Sequence, residues 1–177
     1  VIECKDEIIF ADTAVKLMSK LHQLYSGTIK FESGNTKVID KTKAEFIYKR
    51  FKGVKIGLFY KFKAEYEALK SIYGDSLTND LEEFNTTDKC IALQVVSGRE
   101  GLSLKKAKYL VYYNLDYSAT SYWQSRDRLS TMDRLTNDIF YVFTKGGLED
   151  KIYKSVLNKK NYTSNHFKKY FNVKVSN

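Results

Sequence analysis

Two short polar segments contain residues whose types and spacing suit the chemistry of phosphate groups. In the first segment, Gly98 and Gly101 follow an apolar run, and glycines at such a position let the backbone come close to a phosphate. In the second, Gln124 and Arg128 are four residues apart, which would place both side chains on one face of a helix. An arginine held in this way can reach a nucleotide's terminal phosphate across an interface and stabilise the charge that develops during phosphoryl transfer.

Each segment also has an explanation that needs no ligand. A tight turn accounts for the two glycines, and ion pairs between Asp127 and the neighbouring arginines account for the charged helix. The GxxxxGK[ST] pattern of a phosphate-binding loop occurs nowhere in the 177 residues. We therefore expect this chain to lack the machinery for hydrolysing ATP by itself, and residue types alone leave both explanations open.

The positive net charge of the chain has two possible explanations. The net charge is +9 and the pI is near 9.3. One explanation is attraction to a polyanion such as a nucleic acid. The other is codon usage in an AT-rich genome, which would also account for the absence of proline. Charge alone does not separate the two.

Composition favours one globular domain with a substantial core. Hydrophobic residues make up 43% of the chain, which argues against disorder. No apolar run approaches the ~20 residues that span a bilayer, so we expect no membrane association and a cytoplasmic protein. The two cysteines and two histidines lack zinc-site spacing, so no metal site is expected. Cys90 is interpreted as a buried thiol, and Trp123 as a core anchor rather than a base-stacking platform.

Alternating strand and helix patterns predict an α/β fold. Short apolar runs typical of buried parallel strands extend over Lys55 to Tyr60, Lys89 to Val96, Tyr109 to Asn114 and Asp138 to Phe143. Helical patterns extend over Thr42 to Phe51, Lys63 to Tyr73 and Ala119 to about Leu129. Gly74 is placed to end the second helix and Ser118 to cap the third. The prediction is an open parallel sheet flanked by helices, with ligands bound by the loops that follow Tyr60, Val96 and Asn114.

Amphipathic helices are predicted on both sides of this region. One extends from Asp12 to Tyr25 and the other from Leu148 to Leu157. A basic tail follows, with Lys159, Lys160, Lys168 and Lys169. We therefore predict a connector and helix over residues 1–30, the α/β domain over 31–146, and a C-terminal helix with a basic tail over 147–177.

Four ordered segments carry a pattern that extends beyond single residues. They are KIGLFYKFK at residues 55–63, GREGLSL at 98–104, QSRDR at 124–128 and GLEDKIY at 147–153, preceded by KLHQL at 20–24. In this order they resemble motif IV, the GxxGxxL core of motif V, the QxxDR start of motif VI and the helix after it in the second RecA-like domain of superfamily-two helicases. The resemblance is nearest to the Swi/Snf-type branch and its phage relatives, and it extends over about residues 12–160.

The resemblance implies a motor lobe that works only with a partner lobe. In that family two RecA-like lobes enclose ATP, and the first supplies the phosphate loop and the carboxylates that bind Mg²⁺. The resemblance implies that Gln124, Gly98, Gly101 and Glu100 contact ATP and that Arg128 is the arginine finger. It also implies that Lys61, Lys63, Ser97 and Lys105 lie toward the nucleic-acid backbone. The expected partners are DNA, with RNA as the alternative, and the N-terminal RecA-like lobe of the same protein.

Two positions depart from the family pattern. A second arginine usually follows the first of motif VI by three residues, and Thr131 stands there instead. Arg126 and Arg134 are the candidate replacements for it. The threonine that often opens motif V falls near Val95, which is apolar. Thr131, the basic charge and the absence of a first lobe from these residues support an alternative function, a non-catalytic module of degenerate helicase fold that binds a nucleic acid or a protein.

Overall fold

A computed structural model of the chain describes residues 2–4, 7–9, 11–95, 104–127 and 139–171. Its strands are β1 (Ile2–Cys4), β2 (Glu7–Ile9), β3 (Thr28–Lys30), β4 (Thr36–Val38), β5 (Ile56–Tyr60), β6 (Leu77–Thr78), β7 (Cys90–Gln94), β8 (Tyr109–Tyr112) and β9 (Ile139–Tyr141). Its helices are α1 (Ala14–Tyr25), α2 (Thr42–Arg50), α3 (Lys63–Tyr73), α4 (Leu81–Thr86), α5 (Ala119–Asp127), α6 (Leu148–Leu157) and α7 (Ser164–Phe171). A 3-10 turn, Gly74–Ser76, follows α3.

Five parallel strands form the central sheet, in the order β6-β7-β5-β8-β9. The middle strand β5 pairs with β7 on one side and with β8 on the other, so that Leu58 lies opposite Ala92 and Val111. The predicted open parallel sheet is confirmed. The four predicted strands correspond to β5, β7, β8 and β9, each within two residues at either end.

Alternate residues of the sheet face two separate layers of helices. Phe59 packs with Tyr112 in one core cluster, whereas the adjacent Leu58 packs with Val111 in the other, because successive strand side chains point to opposite faces. Helices α2 and α3 cover the Leu58 face, and α1, α4, α5, α6 and α7 cover the Phe59 face. Full burial of a side chain such as Phe59 contributes about 1.5–3 kcal/mol. The chain therefore folds as helices on both sides of a sheet.

Local signals in the sequence set the ends of the helices. The Ser118 hydroxyl accepts a hydrogen bond from the backbone N–H of Ser121 at 3.2 Å, which confirms the predicted cap of α5. Gly74 ends α3 with a φ of +55°, a conformation that glycine adopts without steric cost. Thr13 and Asp80 cap α1 and α4 with their side-chain oxygens. The predicted helices are found as α1, α2, α3, α5 and α6, and the predicted end of α5 near residue 129 lies outside the described residues.

Several short elements are not predicted by the sequence patterns. They are the antiparallel hairpins β1–β2 and β3–β4, strand β6 and helices α4 and α7. The five strands have two or three residues each and are too short to establish a period, which is why periodicity misses them. The β3–β4 hairpin lies across the predicted boundary between residues 30 and 31. The three-part division of the chain stays a prediction.

The turn between α1 and β3 depends on glycine. Gly27 has a φ of +79°, and a Cβ atom at this position would clash with the carbonyl oxygen of Asp40. The carbonyl of Gly27 also accepts hydrogen bonds from the N–H groups of Ile39 and Asp40, at 2.9 and 3.1 Å. This close approach fixes the β3–β4 hairpin beside the start of α2.

The prediction for Cys90 is confirmed. Cys90 is a buried free thiol, as predicted, and burial raises the pKa of its thiol. Among the helices in the described ranges, none has both the length and the apolar character needed to cross a bilayer.

Candidate functional site at the carboxyl ends of the sheet

The carboxyl ends of β5, β7 and β8 meet at one edge of the parallel sheet. The chain leaves the central β5 for β6 and β7 on one side and returns to β8 on the other. Such a reversal of strand order opens a crevice between the loops, and open α/β sheets bind ligands there. The described residues that follow the strands are Lys61 and Phe62 after β5, Val95 after β7, and Asn114 and Asp116 after β8. We call this edge the candidate site.

Many predicted contact residues lie outside the described ranges. They are Gly98, Glu100 and Gly101 among the ATP contacts, Arg128 and Arg134 among the arginines, and Ser97 among the nucleic-acid contacts. Thr131 also lies outside them. The roles assigned to these residues stay predictions.

Helix α5 carries Gln124 and Arg126 on different sides. Two residues along a helix correspond to a rotation of about 200°, because each turn contains about 3.6 residues. Gln124 is exposed, whereas the guanidinium carbon of Arg126 lies 5.1 Å from the centre of the Trp123 ring. This placement gives no support to Arg126 as a nucleotide contact beside Gln124.

Lys61 makes its contacts within the protein. Its ammonium forms an ion pair with the Asp116 carboxylate and lies 3.7 Å from the centre of the Tyr117 ring. The side chain is 11% exposed, and burial lowers the pKa of the ammonium although Asp116 opposes this effect. Lys61 therefore joins the loop after β5 to the loop after β8, and a nucleic-acid contact would have to compete with this ion pair.

The other two predicted lysines are exposed but lie apart. Lys63 begins α3, beside a cavity of about 300 Å³ whose wall also includes Lys61 and Gln94. The Gln94 amide donates to the Lys61 carbonyl at 2.8 Å. Lys105 lies in the turn that leads into the amino end of β8. The fold thus brings Lys61 and Lys63 together at the candidate site and leaves Lys105 away from them.

A buried polar network that the sequence analysis missed lies under the candidate site. His22 of α1 is fully buried, and its Nδ1 and Nε2 atoms lie 3.0 Å from the Tyr117 hydroxyl and 2.5 Å from the side-chain oxygen of Asn114. Both contacts are satisfied when the hydroxyl donates to Nδ1 and Nε2–H donates to Asn114. Asn114 in turn donates to the Glu65 carboxylate. The other Glu65 oxygen accepts two backbone N–H groups of the loop after β5, at 2.7 and 2.9 Å.

The network connects α1, the first turn of α3 and the loops after β5 and β8. Glu65 is fully buried, and burial raises the pKa of its carboxyl while the hydrogen bond from Asn114 opposes the effect. A buried donor or acceptor left without its partner costs about 1–3 kcal/mol, so a fully satisfied network holds one geometry. In the sequence, the network is signalled only by a polar residue at an inward position of a predicted helix. This residue is His22, one helical turn after Met18. The network therefore sets the shape of the candidate site from below.

His22 gives the stability of the protein a defined pH dependence. Burial holds the pKa of His22 well below its ordinary value of 6.5, so the unfolded chain binds a proton at a higher pH than the folded protein does. The stabilising contribution of the neutral, buried His22 is therefore fully present above about pH 6.5. Below that pH the free energy of unfolding falls by up to about 1.4 kcal/mol per pH unit. Urea unfolding at about pH 7.5 and about pH 5.5 is expected to show this loss in the wild type and a smaller one in His22→Gln.

The comparison has two internal controls. His166→Gln makes the same substitution at the other histidine, which is half-buried, and shows what a histidine replacement away from the network does to the pH dependence. Glu65 acts in the opposite sense, because its raised carboxyl pKa favours the folded state at low pH, but it is present in all three proteins. Equal losses of stability in His22→Gln and in the wild type would show that His22 does not titrate as stated.

A second buried contact joins the two helical layers at the same edge. Lys43 of α2 forms an ion pair with Glu149 of α6 at 2.9 Å and donates to the Tyr113 carbonyl at 2.8 Å. The two charged side chains are 10% and 0% exposed. The second carboxylate oxygen of Glu149 has no hydrogen-bond partner among the described residues. Since α2 and α6 cover opposite faces of the sheet, this ion pair ties the layers together beside the loop after β8.

One of the four predicted ATP contacts, Gln124, lies within the described residues. Gln124 offers an exposed amide that can both donate to and accept from a nucleotide. Within the described ranges, no group of three or more His, Cys, Asp and Glu residues could hold a metal ion.

Comparisons with known proteins give a likeness of fold. No protein-family model and no curated protein matches the chain. Among the solved structures that match is one described as the crystal structure of the C-terminal part of the Fun30 ATPase domain, with a TM-score of 0.52 and 19% sequence identity. The match covers 68% of this chain and 46% of that one, so the chain spans less than half the length of the structure that it resembles.

The likeness and the sheet order together establish the fold class. The chain is an α/β protein with a RecA-like parallel sheet flanked by helices, as the sequence resemblance implied. At 19% sequence identity the likeness extends to the fold alone. It gives no support to the phage-like character expected from the motifs.

Proposed function

We propose that this chain is the second motor lobe of an ATP-dependent helicase or translocase that acts on DNA. The observation that carries the proposal is the sheet order β6-β7-β5-β8-β9, whose reversal at β5 opens a ligand crevice at the carboxyl edge. The likeness to the C-terminal part of an ATPase domain supports the same function. The lobe completes an ATP site that a first RecA-like lobe begins.

Each group of the proposed site has a defined task. Gln124 and the glycine-containing segment at residues 98–101 contact the nucleotide, and Arg128 stabilises the negative charge that develops on the transferred phosphoryl group. MgATP supplies that phosphoryl group, and the first lobe supplies the carboxylates for the metal. Lys63 and its neighbours contact the nucleic-acid backbone, which gives binding that depends on salt and not on sequence. Arg126 and Arg134 are the candidates for the second arginine.

The test compares the chain alone with the chain joined to its first lobe. The 177-residue chain alone is expected to hydrolyse no ATP, whereas the polypeptide that includes the first lobe hydrolyses ATP and is stimulated by duplex DNA. Phosphate release is measured with and without DNA. ATP hydrolysis by the 177-residue chain, purified free of other ATPases, would overturn the proposal.

The alternative function is a binding module without catalysis. Thr131, at the position of the second arginine, favours it. This alternative predicts that the polypeptide encoded upstream of Val1 lacks GxxxxGK[ST] and the acidic pair that binds Mg²⁺. It also predicts binding to a nucleic acid or a protein that ATP does not affect.

A further inference from the structure

Two positive charges lie beside the single tryptophan, which belongs to α5 and contacts the end of α6. The guanidinium carbon of Arg126 lies 5.1 Å from the centre of the Trp123 ring, and the ammonium of Lys159 lies 5.8 Å from it. Both distances are within the ~6 Å over which a cation and an aromatic ring attract each other. Lys160 follows and is exposed. We call Arg126, Lys159 and Lys160 the tryptophan-side basic cluster.

Trp123 is a fixed support for this cluster. Its indole N–H donates to the backbone carbonyl of Val156 at 3.0 Å, and its ring packs against the core on the Phe59 face of the sheet. These contacts confirm the interpretation of Trp123 as a core anchor. Because cations occupy its surroundings, the cluster offers charge to a ligand rather than a free ring for stacking.

The backbone holds Lys159 in a conformation that lysine rarely adopts. Helix α6 ends in a Schellman motif, in which the N–H of Lys159 donates to the carbonyl of Val156 and the N–H of Lys160 to that of Ser155, both at 3.0 Å. Glycine usually occupies the left-handed position of this motif, and here Lys159 occupies it with a φ of +56°. A side chain in this conformation lowers stability. Strain of this kind at a surface position suggests a function for the side chain.

The cluster has no acidic partner among the described side chains. None of the ion pairs within the described ranges includes Arg126, Lys159 or Lys160. Among the described side chains, Arg126 contacts the Tyr122 hydroxyl. Burial raises the pKa of this hydroxyl, so it stays uncharged. Arg126 and Lys159 lie beside the same ring, and like charges repel, so an anion bound near both would lower the free energy of the cluster.

We propose that the tryptophan-side basic cluster binds the phosphate backbone of a nucleic acid, at a surface separate from the candidate site. Cations beside an aromatic ring that offers no free face suit phosphates, whose contacts fix position and do not read sequence. The net charge of +9 favours the same class of partner. The proposal does not depend on ATP binding, and in the proposed motor it supplies an additional hold on the DNA.

The experiment measures binding of duplex DNA of mixed sequence to the complete chain by fluorescence anisotropy over a range of salt concentrations. The double variant Lys159→Gly with Lys160→Ala is expected to bind about 10-fold more weakly, and the slope of log affinity against log salt is expected to fall by about 2. The control Lys49→Ala with Lys52→Ala removes the same charge at the end of α2, on the Leu58 face. It is expected to change affinity by less than about 2-fold.

The single variant Lys159→Gly separates binding from folding. Glycine relieves the left-handed strain, so Tm is expected to rise by about 1–3 °C while DNA affinity falls by about 3-fold. Wild-type DNA affinity in the double variant, or an equal loss in the control, overturns the proposal. Weaker binding to polyglutamate with unchanged binding to DNA also overturns it and assigns the cluster to an acidic protein. The assay contains no ATP, so its outcome is independent of the proposed motor function.

Discussion

Replacing Arg128 by alanine is expected to lower DNA-stimulated ATP hydrolysis by the joined lobes by about 10³-fold. An arginine finger acts mainly on the charge that develops in the transition state, so kcat is expected to fall while KM for ATP changes little. The measurement is the initial rate of phosphate release over a range of ATP concentrations, with DNA at saturation.

A matched arginine serves as the control. Arg50→Ala removes an exposed guanidinium from the end of α2 and is expected to leave kcat within about 2-fold of the wild type. Arg134→Ala tests the second arginine, because its loss lowers kcat only if Arg134 replaces the residue missing at Thr131. An Arg128→Ala protein that retains the wild-type kcat would exclude Arg128 as the finger.

Replacing Lys43 by methionine is expected to destabilise the protein by about 3–5 kcal/mol. The substitution leaves the fully buried Glu149 carboxylate without its cation, and its second oxygen already has no hydrogen-bond partner among the described residues. Typical domains are stable by about 5–15 kcal/mol, so the loss is a large share of the total. The free energy of unfolding in urea measures it.

Two comparisons show whether burial of the ion pair causes the loss. The double variant Lys43→Met with Glu149→Leu removes both charges and is expected to recover most of the stability. Lys154→Met breaks the 2.8 Å ion pair with Asp150, whose side chains are 67% and 46% exposed, and is expected to change stability little because exposed pairs contribute little. If Lys43→Met were no more destabilising than Lys154→Met, the buried pair would not hold the helical layers together.

Local patterns in the sequence are sufficient for the main elements of this fold. The runs that include Leu58 and Val111 are continuously apolar because both faces of their strands are covered by helices, and that pattern needs no knowledge of the fold. Ser118 and Gly74 act on the backbone within a few residues, so their positions predict the helix ends directly. The same locality explains why the two-residue β6 was missed.

The candidate site was predictable only in outline. The carboxyl edge of a parallel sheet follows from strand–helix alternation, and the resemblance supplied the residues that were assigned to it. The surroundings of Lys61 were not predictable, because Asp116 lies 55 positions further along the chain. A lysine in a polar loop suggests an exposed contact, and only the fold shows that a carboxylate and an aromatic ring already surround it.

Contacts between distant segments determine the features that distinguish this domain. His22 meets Asn114 across 92 positions of sequence, and Lys43 meets Glu149 across 106. A pattern along the sequence shows that a polar residue lies at an inward position, but it does not show which partner satisfies its hydrogen bonds. That partner is brought near only by the pairing of strands and the packing of helices on both faces. Local patterns in the sequence thus predict an α/β fold with a parallel sheet and segments that suit phosphate groups. The tertiary structure decides which charges are buried in pairs and which remain available to a ligand.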